Sequence, residues 1–170
     1  MRPLPHPNNL HLQAAEGWLE LGNHLEANEE LEKIEPSLRV HPSVLEVRLD
    51  IYDKAKKWEA CVELAGALVE LTPDNREVWI RRSFALHVLK RTQTAHDCLL
   101  PAAEKFPECW NIAYNLACYC SQLRDFEASQ SWFKKAIVLN EKEVQRAALD
   151  DPDLEPLWAS MSTTLWKRTV

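Results

Sequence analysis

From Asn8 to Glu143 the apolar residues recur at intervals of three and four, and sustained alternation is absent. Cys61, Leu64, Ala65, Leu68 and Leu71, for example, follow the i, i+3, i+4 stripe of an amphipathic helix. Breakers close the helical stretches at Thr72-Pro73-Asp74-Asn75 and Phe106-Pro107-Glu108. Weaker turns fall between them, at Lys56-Lys57-Trp58 and Leu123-Arg124-Asp125-Phe126. The pattern predicts antiparallel helix pairs, each helix about 12–14 residues long, and no strands.

The pairs repeat. Blocks of 34 residues start at Asn8, Pro42, Arg76 and Trp110, giving 8–41, 42–75, 76–109 and 110–143. The eighth slot holds Ala15, Leu49, Ser83 and Ala117, and the eleventh Trp18, Tyr52, Leu86 and Cys120. The twentieth holds Ala27, Cys61, Ala95 and Ser129, all small. The twenty-fourth holds Leu31, Ala65, Leu99 and Phe133, and the twenty-seventh Ile34, Leu68, Ala102 and Ala136. Small residues where two helices must approach, with large ones at neighbouring slots, form a packing code. In this spacing the chain resembles the tetratricopeptide repeat (TPR) family, whose pattern runs W-x2-L-G-x2-Y, then A-x3-F, then A and P. Block three carries Trp79, Ser83, Leu86, Ala95, Leu99, Ala102 and Pro107; block one departs most, with Arg39 in the usual proline slot. The resemblance implies an all-α, right-handed α-α superhelix of about four helix hairpins.

Residues 1–7 are expected to be flexible, and 144–170 to form a C-terminal capping helix or tail. In that tail Leu154, Leu157, Trp158, Met161 and Leu165 share one helical face, suited to covering the apolar end of a repeat array. The other reading is a detachable helix that docks on another subunit, leaving a homo-oligomer through the tail open. Its Asp-Pro-Asp-Leu stretch resembles the tails of many bacterial TPR arrays, which points to a bacterial source. Pro101 lies inside the second helix of block three and predicts a kink or restart there, since a straight helix loses roughly 3 kcal/mol. Pro36 predicts a short second helix in block one.

The 170-residue chain suits one domain or one short array, and its 3 glycines leave little for a phosphate-cradling loop. No apolar run approaches the ~18 residues of a membrane span, and the start lacks the apolar core of a signal peptide. A soluble, cytoplasmic protein is expected, with no membrane partner. The 5 cysteines are an odd number and argue against a disulfide framework. The net charge of −6 gives counterion-driven nucleic-acid binding little to work with. The acidity is concentrated in the first half, where a basic partner would be drawn.

Candidate chemistry is sparse. No two histidines are four apart, and Cys118 and Cys120 on a helix point about 200° apart, too far to share a metal. Cys109, at a block junction, is expected to be exposed. Glu26, Glu29, Glu30, Glu32 and Glu35 read as a solvated outer face. Trp18, Trp58, Trp79 and Trp132 fall at packing places, and Trp158 and Trp166 are left open. With no nucleophile-elbow, Walker or paired Cys-x-x-Cys motif, neither an enzyme, a metal nor a cofactor is expected.

The resemblance implies that the first helix of each pair lines a concave groove. Residue by residue, this brings Glu16, Glu20, Asp50 and Asp53 to the groove from blocks one and two. Blocks three and four add Arg81, Phe84, His87, Tyr114, Asn115 and Cys118. The chaperone-binding subgroup clamps a C-terminal Glu-Glu-Val-Asp with lysines, asparagines and an arginine; here only Arg81 survives, and Glu16 and Glu77 would repel that peptide. The expected function is a non-catalytic protein–protein interaction module, an adaptor or scaffold. Its groove would hold a peptide or protein segment with a basic stretch. The alternatives are a dedicated chaperone of secreted substrates and a self-assembling structural subunit.

Overall fold

The computed structural model describes the backbone of residues 3–167 and the side chains of residues 3–161. The chain divides into two compact units, residues 1–78 and 79–170. Helices α1 (Asn8–Glu20), α2 (His24–Glu32), α3 (Pro42–Lys54) and α4 (Trp58–Leu71) build the first. Helix α5 (Arg76–Val88) begins at its end; α6 (Thr92–Lys105), α7 (Trp110–Gln122), α8 (Phe126–Ala148) and α9 (Glu155–Lys167) follow.

The eighth and twentieth slots of the packing code are buried, whereas Trp18, in the eleventh and expected at a packing place, is 36% exposed. Ala15, Leu49, Ser83 and Ala117 are at most 1% exposed, and Ala27, Cys61, Ala95 and Ser129 at most 3%. Serine fits such places only when its hydroxyl is satisfied. Ser83 Oγ donates to the Ile80 carbonyl at 2.8 Å, and Ser129 Oγ to that of Ala117 at 2.8 Å.

All four hairpins turn the same way. Gly22, Lys56, Lys90 and Arg124, spaced at equal intervals, have positive φ of 78°, 54°, 63° and 66°. At each turn the following residue donates back into the preceding helix: Asn23 N to Trp18 O at 2.8 Å, and Lys57 N to Tyr52 O, Arg91 N to Leu86 O and Asp125 N to Cys120 O at 2.9 Å. This is the six-to-one bond of a left-handed helix terminus, which glycine enters without strain and other residues at a cost of about 1 kcal/mol.

In the first unit Leu4 packs into the core with Ala15, Ala27, Leu31, Ile34, Val44, Val47 and Ile51, although it belongs to the stretch expected to be flexible. Helix α2 stops at Glu32, short of Pro36. Arg39 closes it, its Nε donating to the Ile34 carbonyl at 2.8 Å and its Nη2 to that of Glu32. The glutamate run is more than a solvated face. Glu30 lies 3.0 Å from His11 and 2.7 Å from Lys33, and Glu32 pairs with Arg39 and Arg48.

Two expectations fail in the second unit. Helix α6 continues through Pro101 from Thr92 to Lys105 with no restart; Pro101 is on the exposed side, where water can serve the carbonyl its ring leaves unbonded. The break lies instead in α8 at Asn140, whose φ of −160° and ψ of 83° are not helical. Asn140 Oδ1 accepts the Glu143 amide at 3.3 Å and starts a new helical segment. Cys109, expected to be exposed, is buried at the start of α7. Helix α9 packs on α7 and α8, burying Leu154 and Leu157 completely, while Met161 on the expected apolar face is 40% exposed. The side chains of Leu165 and Trp166 lie outside the described residues.

Candidate functional site

Helix α1 packs on α3 in the first unit, which puts Glu16 near Asp50; Glu20 lies one turn along α1 from Glu16, and Asp53 one turn along α3 from Asp50. Glu16 carries the mark of that crowding. Reduced access to water raises its carboxyl above the ordinary value, and the charges of Asp50 and Glu20 raise it further. Next to them, Glu46 accepts the Asn75 amide at 2.9 Å.

The second unit places its residues differently. A single 3-10 turn, Pro152–Leu154, follows α8, with Asp151 as its cap: Asp151 Oδ1 accepts the Asp153 amide at 2.9 Å. Proline at the first position and aspartate before it is the local signature of such a turn. The turn sits on α7. Tyr114 Oη donates to Asp151 Oδ2 at 2.6 Å, and Cys118 Sγ lies 3.6 Å from the same oxygen. His87 Nε2 is 2.9 Å from Asp153 Oδ2, and its Nδ1 is 3.0 Å from Thr92 Oγ1. Gln122 donates to the Asp153 carbonyl at 3.0 Å, and Ser121 Oγ accepts the Leu157 amide at 3.2 Å.

Three of the ten residues expected at the groove, His87, Tyr114 and Cys118, thus touch the chain's own residues 151–153. Asn115 turns back to its own helix, donating to the carbonyl and side-chain oxygens of Asn111 at 2.9 and 2.8 Å. Phe84 is 45% exposed. Trp158, left open by sequence, stacks edge-on against Phe133 with ring centroids 5.2 Å apart. The residues missed as members of this cluster are Asp151 and Asp153. Their Asp-Pro-Asp spacing announced the turn but not where it would land.

The thiols here are held protonated. Burial, then the charges of Asp151 and Asp153, pushes the Cys118 thiol well above its usual value, and burial raises Cys98 and Cys120 to about 11. Burial and the bond to Asp151 likewise hold the Tyr114 phenol up. Such groups are poor nucleophiles at neutral pH. Among the described residues no group of three or more His, Cys, Asp or Glu could hold a metal ion, and no helix is long and apolar enough to cross a membrane.

No family model and no curated protein matches the chain. Solved structures do. MamA MSR-1 superposes with a TM-score of 0.70 at 24% identity, over 80% of this chain and 78% of the other. The MamA RS-1 ArsTM double mutant gives 0.74 at 14% identity over 97% of each. MamA AMB-1 gives 0.67 at 20% identity, over 82% and 78%. The fold is an all-α, TPR-like helical repeat. That is the class the 34-residue spacing implied, four hairpins with a helix after them.

Proposed function

We propose that the chain is a non-catalytic protein-interaction module whose first unit holds a basic, extended segment of a partner against α1 and α3. One observation carries the reading: α1 packs on α3 with Glu16 near Asp50, and burial, then the charges of Asp50 and Glu20, raises the Glu16 carboxyl. A lysine or arginine of a partner complements these carboxylates in charge. The fold is shared with the MamA structures, and helical repeats of this kind offer extended surfaces for binding, which supports the class of function.

The test uses a fluorescein-labelled peptide alternating arginine with apolar residues, titrated by anisotropy. The Glu16→Gln/Asp50→Asn/Asp53→Asn variant should bind at least about tenfold more weakly than the parent, and raised salt should weaken the parent alone. Equal affinity in the two proteins, or no binding to either, overturns the assignment.

A further inference from the structure

The second unit carries a different and separate preference. Its face on α5 and α7 is occupied by an acidic turn, and the contacts are selective in kind. One carboxylate meets a phenol and a thiol: Asp151 with Tyr114 Oη at 2.6 Å and Cys118 Sγ at 3.6 Å. The other, two residues on, meets an imidazole, Asp153 with His87 Nε2 at 2.9 Å. A side-chain amide reads the backbone between and after them, Gln122 donating to the Pro152 and Asp153 carbonyls at 3.4 and 3.0 Å. The next side chain, Leu154, is fully buried. The cradle is itself held in place, because His87 is fixed by Thr92 at 3.0 Å and packs its ring on Tyr119 at a centroid distance of 5.0 Å. Tyr119 in turn shares a hydrogen bond with Ser83 at 3.1 Å.

Every element of this recognition is supplied by a four-residue pattern, Asp-X-Asp-Leu in a 3-10 turn. The segment reaches the face through Leu149 and Asp150, both exposed, and Leu149 by 80%. We propose that this face is a receptor for acidic turns of the pattern Asp-X-Asp-Leu, with residues 151–154 as its resident occupant. Its external partner is a protein that displays the same pattern and displaces the tail. The chain would then select a basic segment at one unit and an acidic turn at the other. The two assignments stand on different residues, and either can fail without the other.

An occupant on the same chain competes at an effective concentration of order mM. The external ligand is therefore weak against the native chain and strong once the resident is weakened. The probe is a fluorescein-labelled peptide of residues 147–158. Asp151→Asn/Asp153→Asn in the protein keeps the cradle and the turn's shape while removing both charges from the resident. The peptide should bind this variant at least about tenfold more tightly than the parent. Adding Tyr114→Phe and His87→Gln to the variant should abolish the gain, and a peptide with the same two aspartates changed to asparagine should not bind. In the parent at high peptide concentration, amide exchange of residues 150–158 should speed up as the tail leaves. Should the amidated variant fail to fold by circular dichroism, the exchange measurement on the parent decides alone. Binding insensitive to Tyr114 and His87, or unchanged tail exchange at saturating peptide, overturns the proposal. A concentration-dependent dimer that exchanges tails, detected by light scattering, does the same by assigning the face to a second copy.

Discussion

Leu154→Ala is expected to cost about 3 kcal/mol of stability in the second unit, read from urea denaturation. The side chain is fully buried beneath the 3-10 turn, and truncating such a leucine removes transfer energy and leaves a cavity, together about 2–5 kcal/mol. Leu157, equally buried in the first turn of α9, donates its backbone amide to Ser121 Oγ. Loosening the turn therefore loosens α9 as well. In a repeat array each element depends on its neighbours alone, so the loss should appear first as faster amide exchange in residues 150–160, with α6 affected least. A cost below about 1 kcal/mol would mean that the tail is not part of the cooperative unit, against the burial observed.

Lys56→Gly, Lys90→Gly and Arg124→Gly together should stabilise the chain by about 2 kcal/mol. All three residues adopt the left-handed conformation, where Gly22 stands in the first hairpin. Each strained side chain costs about 1 kcal/mol, of which the greater freedom of glycine in the unfolded chain takes back a part, leaving about 0.5–1 kcal/mol per site. For a chain of this size that is a rise in Tm of about 4–8 °C. Gly22→Ala is the opposite control and should lower Tm. An unchanged or lower Tm in the triple variant would contradict the turn geometry.

The turns also show what the sequence carried and what it did not. The small slots were legible because close helix approach tolerates only small side chains, and Ala27, Cys61, Ala95 and Ser129 all proved buried. The left-handed turns were not read from the sequence: Gly22 suits one, but the preference of Lys56, Lys90 and Arg124 runs the other way and the hairpin imposes it. Pro101 does not restart its helix, because the carbonyl its ring leaves unbonded lies on a wet face. The break at Asn140 had a local signal, an Asn with Glu143 three residues on, the pattern of a helix start. It was masked by the unbroken apolar spacing on either side.

The faces were half legible. Placing Tyr114, Cys118 and His87 on one surface needs only the repeat geometry, and they do converge. That the convergence is upon Asp151 and Asp153 is a contact between residues far apart in sequence, Tyr114 with Asp151 and His87 with Asp153. No local pattern encodes it. The acidity of the first half was visible as composition, but the juxtaposition of Glu16 with Asp50 required α1 to lie on α3.

The most direct test of a cation-binding first unit is calorimetric titration with the arginine peptide at about pH 5, near the carboxylate range, in buffers of different ionisation enthalpy. Burial, then the charges of Asp50 and Glu20, raises the Glu16 carboxyl in the free protein. An arriving guanidinium favours the ionised form and lowers that value, and the proton must leave. The account predicts net proton release on binding, abolished by Glu16→Gln and fading as pH rises well above the raised value. Binding with proton uptake, or with no exchange at that pH, would contradict it.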